Sequence, residues 1–87
     1  MKIAEGFILK NIAGTNIIVP AGANSLTFKA IITLNESGTF LWQQLAQERT
    51  EEELISALLS EYDVDIETAK GDVTEFVQKL AEAGLLE

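Results

Sequence analysis

An α+β domain is what the order of patterns along this chain predicts. Strand-like runs fill the first third, amphipathic helical stripes with capping signals fill the rest, and short connections join them. Strands grouped ahead of helices place the helices against one face of an antiparallel sheet. With 87 residues the chain is read as one domain, 1–87, with a single core.

The first strand is expected at about 7–12, where Phe7-Ile8-Leu9-Lys10-Asn11-Ile12 is β-rich and apolar on both faces. Ala13-Gly14-Thr15-Asn16 then leads to Ile17-Ile18-Val19, so a hairpin with a second strand at about 16–20 follows. Pro20 lacks an amide proton and ends that strand. After the small residues Ala21 to Ser25 comes the clearest alternation in the chain. Leu26, Phe28, Ala30, Ile32 and Leu34 fall on one side, with Thr27, Lys29, Ile31 and Thr33 on the other, which sets a third strand at about 28–34.

Asn35 is a good N-cap with Glu36 in the first turn, opening a helix at about 36–47 whose seam is Gly38, Leu41, Trp42 and Leu45. Phe40 lies off that seam. Thr50-Glu51-Glu52-Glu53 reads as a capping box for a helix at about 51–61 with the stripe Leu54, Ile55, Leu58, Leu59 and Tyr62. Asp65 caps a third helix at about 66–83, expected to bury Ile66, Ala69, Val73, Phe76, Val77 and Leu80. Gly84 supplies a left-handed stop, with Leu85 and Leu86 folding back in a Schellman ending.

Composition restricts the chemistry. The sequence holds no Cys and no His, so thiol nucleophiles, thiolate metal sites and the commonest general base are all missing. No enzyme activity, metal or cofactor is expected. The run Glu51-Glu52-Glu53 is explained by capping and the helix dipole. Asp63, Asp65 and Glu67 alternate as in a calcium loop, but the required glycine and terminal glutamate are absent. No apolar stretch approaches a membrane span, and no signal peptide is read at the N-terminus, which suits a cytoplasmic protein.

Charge is unevenly placed. Residues 1–35 carry three lysines against one glutamate, net +2, whereas 36–87 carry three basic residues against thirteen acids, net −10. A hairpin with three helices suggests a winged-helix DNA-binding regulator. Yet the second helix has no basic residue, and the third sets Lys70 and Lys79 against Glu67, Asp72, Glu75 and Glu82, so nucleic acid is not an expected partner. A second alternative is an acyl-carrier-like protein with a modified Ser37. Its residues here are Glu36-Ser37-Gly38, and acyl carriers lack the N-terminal strands.

A three-stranded sheet keeps two edges, and if the third strand is outermost its edge is poorly defended. Such an edge invites β-augmentation, in which a guest strand takes the free backbone groups; a homodimer formed by self-pairing is also open to it. The alternative is that Leu34 and the hairpin simply bury core while a loop covers the edge.

Several stretches together resemble the PqqD (pyrroloquinoline quinone biosynthesis protein D) family. They are Ile32-Thr33-Leu34-Asn35-Glu36-Ser37-Gly38, Phe40-Leu41-Trp42, Thr50-Glu51-Glu52-Glu53-Leu54, Glu61-Tyr62-Asp63-Val64-Asp65, Ala69, Asp72-Val73, Phe76, Leu80 and Gly84-Leu85-Leu86. The resemblance implies a RiPP recognition element with a winged-helix-like fold, a three-stranded antiparallel sheet followed by a three-helix bundle. It implies a non-catalytic domain that binds the leader of a ribosomally made precursor peptide and presents it to a modifying enzyme, often of the radical S-adenosylmethionine (radical SAM) type. The leader is then expected to pair along the third strand at Ala30, Ile31, Ile32 and Thr33, against a wall of Asp72, Glu75, Phe76 and Lys79 on the last helix. Proline at Ile32 is expected to remove binding with little harm to the fold.

Overall fold

The computed structural model describes residues 1–21 and 32–87. The expected start of the third strand, with Ala30 and Ile31, lies outside the described residues. Three strands, β1 (Phe7–Ile12), β2 (Thr15–Pro20) and β3 (Ile32–Leu34), precede three helices, α1 (Glu36–Gln44), α2 (Glu51–Glu61) and α3 (Ile66–Glu82). The sheet is antiparallel in the order β1-β2-β3, which makes β2 central and leaves β1 and β3 as its edges.

The β1–β2 hairpin turns on two residues, Ala13 (φ 52°) and Gly14 (φ 84°). Positive φ at both positions is what a type I′ turn requires and what matches the twist of the flanking strands. Gly14 adopts it freely, whereas Ala13 holds a left-handed backbone that its Cβ opposes. Ala13→Gly should therefore raise stability by about 0.5 kcal/mol, read as a small upward shift in melting temperature.

Register divides the sheet into two faces. Phe7 and Leu9 of β1, Ile18 of β2, and Ile32 and Leu34 of β3 face the helices and join the core. Asn11, Asn16 and Thr39 extend that face as a polar ladder, Asn11 donating to Asn16 at 3.0 Å and Asn16 to Thr39 at 3.1 Å, which ties the hairpin to α1. The opposite face carries Ile8 and Ile12, both exposed.

The helix caps form as their sequences require. The Asn35 Oδ1 accepts from the Gly38 N–H at 2.8 Å, and Asp65 Oδ1 from the Thr68 N–H at 2.7 Å. Thr50 and Glu53 close a full capping box at 2.9 and 3.2 Å. The Thr50 N–H donated to Glu53 holds its carboxyl below the ordinary value, and the Thr68 N–H does the same for Asp65. Depressed folded-state values mean a stability contribution that is complete above the unfolded-state range and lost as pH falls through the folded values. Melting temperature should accordingly decline on acidification below about pH 4. Asp65→Asn, which keeps an acceptor at the cap, should flatten part of that decline in melts recorded across pH.

α3 ends in a full Schellman motif: the Leu85 N–H reaches the Leu80 carbonyl at 2.9 Å, the Gly84 N–H reaches Ala81 at 3.1 Å, and Gly84 has φ 74°. Leu80 and Leu85 are both fully buried, the hydrophobic contact that accompanies this ending. The chain then pairs with its own beginning through a bridge between Ile3 and Leu86.

Three expectations need correction. α1 stops at Gln44 rather than 47, because its last turn tightens to i−3 bonds and the Leu45 carbonyl accepts from the Ile3 N–H at 3.1 Å instead of continuing the helix. Ile66 is 52% exposed rather than buried, since the first residue of α3 stands beyond the packed layer. Ile32 is only 7% exposed, so proline there would strip a core side chain and break the fold.

Candidate functional site

A groove of about 410 Å³ runs between β3 and α3. Thr33 and Leu34 form one bank, Asp72, Glu75 and Lys79 the other, Phe76 and Leu41 the floor, and Asn35, Ser37 and Gly38 close one end. The α3 residues stand at i, i+3, i+4 and i+7, one helical stripe whose apolar member, Phe76, is buried at 7% exposure.

The direction of the β3 backbone follows from one hydrogen bond. The Ala21 N–H donates to the Gly6 carbonyl at 2.7 Å, which makes that pair hydrogen-bonded across β1 and β2. Pairs alternate along an antiparallel ladder, so Val19, Ile17 and Thr15 turn their backbone groups to β1. Ile18 and Asn16 then turn theirs to β3, where they meet Ile32 and Leu34. Thr33 is left opposite Ile17 in a non-hydrogen-bonded pair, with its own N–H and C=O directed away from the sheet, toward the groove.

Of the residues named from sequence, the structure gathers Thr33, Asp72, Glu75, Phe76 and Lys79 around this one groove. Ile32 is not among them: its side chain is in the core and its backbone groups face β2. Leu34, Asn35, Ser37, Gly38 and Leu41 line the groove as well, although the sequence marks Leu34, Asn35, Gly38 and Leu41 only as strand, cap and core, and Ser37 only as the modified residue of the acyl-carrier alternative. The signal was present in their spacing, because an N-cap placed directly after β3 must close that end of any channel along its edge.

A larger cavity, about 630 Å³, lies at the hairpin tip between Gly14, Thr39, Phe40 and Tyr62. Phe40 meets Tyr62 edge to face there, ring centroids 5.6 Å apart, which accounts for its place off the α1 seam. Burial, then the Glu36 and Glu61 carboxylates, push the Tyr62 hydroxyl above its ordinary value. That cavity meets the sheet at Thr15 and Asn16 of β2 and at Leu34 of β3, whose backbone groups face β2. Among the described residues no cluster of side chains is arranged to hold a metal ion, and no helix is long and apolar enough to cross a membrane.

The family model described as coenzyme PQQ synthesis protein D (PqqD) matches residues 7–86. The chain belongs to the PqqD family. Two solved structures resemble this PqqD domain over nearly all of both chains. One, TbiB1 in complex with the TbiA(beta) leader peptide, is 28% identical with a TM-score of 0.77, covering 100% of this PqqD chain and 95% of its own. The other, lasso peptide synthetase B1 complexed with the leader peptide, is 19% identical with a TM-score of 0.73, covering 99% and 95%, a likeness of fold. No curated protein matches the sequence.

Proposed function

We propose that this domain is a non-catalytic recognition protein for the leader of a ribosomally made precursor peptide, which it receives as a fourth strand along β3. The observation that carries the reading is Thr33, whose backbone N–H and C=O face an open groove with an apolar floor. An extended guest would take those two groups, and alternate guest side chains would enter the groove beside Phe76. Membership of the PqqD family and the leader bound to TbiB1 support the assignment.

The domain acts by effective concentration: holding the leader while docked to a modifying enzyme makes the encounter with the rest of the precursor intramolecular. The enzyme partner is proposed as a radical SAM enzyme, from the family resemblance. Likeness to a lasso peptide synthetase component favours a second reading, a lasso-forming assembly. Either partner would be met in the cytoplasm. A homodimer paired through β3 would compete with the leader for the same edge.

Affinity recovery of the tagged protein from its native host, followed by mass spectrometry of everything retained, tests this directly. A short precursor peptide together with a modifying enzyme is the expected yield, and the identity of that enzyme decides between the two assemblies. Retention of duplex DNA without peptide, or a covalent mass shift at Ser37, would overturn the reading.

A further inference from the structure

The groove carries charges that nothing among the described residues answers, and they stand in order. Asp72, Glu75 and Lys79 make no ion pair or side-chain hydrogen bond among the described residues. This holds although Glu75 and Lys79 have the i, i+4 spacing at which helix partners meet. Asp72 also lines a neighbouring cavity with Asn35, Glu36 and Ser37, which adds a second carboxylate at that end. The groove therefore runs from a negative end beside the start of α1 to a positive end at Lys79.

We propose that the groove sorts leaders by charge order, taking a basic side chain at the α1 end, an apolar one over Phe76, and an acidic one at Lys79. The inference rests on the β-augmentation reading above. Geometry sets the spacing. Seven helical steps of α3 lead from Asp72 to Lys79, about 10 Å at the helical rise. An extended guest covers that distance in about three residues, and only every second side chain faces α3. Two charges with one apolar residue between them on the same face fall four apart, about 13 Å, a difference that the length of the charged side chains takes up. This gives basic-x-apolar-x-acidic or its reverse, according to the direction in which the guest runs. Opposite charge at each end also supplies a penalty against leaders of the wrong order, because like charges would then meet across the groove.

Selection from a displayed library of random short peptides tests the order. The parent protein is compared with a variant carrying Asp72→Lys, Glu75→Lys and Lys79→Glu, all at exposed or half-buried positions, with circular dichroism confirming that the variant is folded. The parent pool is expected to enrich the basic-x-apolar-x-acidic pattern in one direction and the variant pool the same pattern inverted. A synthetic peptide from the parent pool should bind the variant roughly fivefold more weakly at low salt. Peptides that bind both proteins equally, with no charge pattern, would overturn the charge order and leave the peptide-binding reading standing. Failure of both proteins to select any peptide would remove both.

Discussion

Thr33→Pro is expected to lower leader affinity by roughly 30- to 100-fold while moving the melting temperature little. Proline removes the one N–H that β3 directs toward a guest and sets a ring where the guest backbone must approach. A guest carbonyl left without its partner costs about 1–3 kcal/mol, and the lost close approach adds to it, which together give that fold-change. The fold tolerates it because the Thr33 N–H makes no bond to β2, and edge strands accept proline where the missing donor faces outward. Thr33→Val, which keeps the backbone, should bind nearly as the parent does. Fluorescence anisotropy with the leader recovered from the host, beside thermal melts of each variant, reads both quantities. Unchanged affinity in a folded Thr33→Pro protein would sink the edge-strand mechanism.

The second large effect is on stability. Leu80 is fully buried between the α3 stripe and the returning Leu85, so Leu80→Ala should cost roughly 3–4 kcal/mol through lost burial and the cavity left behind. A domain of this length holds roughly 4–13 kcal/mol in total, and the substitution consumes much of it. Saturating leader, at about a hundredfold over its dissociation constant, should restore about 2.7 kcal/mol, because it binds only the folded state. Denaturant melts with and without leader measure both terms. A Leu80→Ala protein as stable as its parent would mean that α3 is not packed as described.

What could be read from the sequence was what local chemistry decides. α2 runs over the expected 51–61 because the Thr50–Glu53 box and the Leu54–Leu58 stripe lie within its own residues. The Schellman ending was legible for the same reason, in Gly84 and the leucines around it. The end of α1 was not, since the Ile3 N–H that takes the Leu45 carbonyl comes from the opposite end of the sequence. The candidate site divides in the same way. The stripe Asp72, Glu75, Phe76 and Lys79 is plain from helical spacing. Which β3 residue turns its backbone outward depends on a pairing phase that the Ala13-Gly14 turn transmits through β2, and alternation within β3 alone does not contain it.

The bridge between Ile3 and Leu86 has a use beyond closing the fold. It brings the first and last residues together beside Leu45, and none of Ile3, Leu45 and Leu86 is among the residues that line the groove at β3. A domain whose two ends are neighbours behaves as a plug-in module: it can be spliced into a loop of a larger protein, or circularly permuted by a short linker, without disturbing the β3 edge. Fusing a modifying enzyme at either end would then hold the enzyme at one fixed corner and leave the peptide channel open.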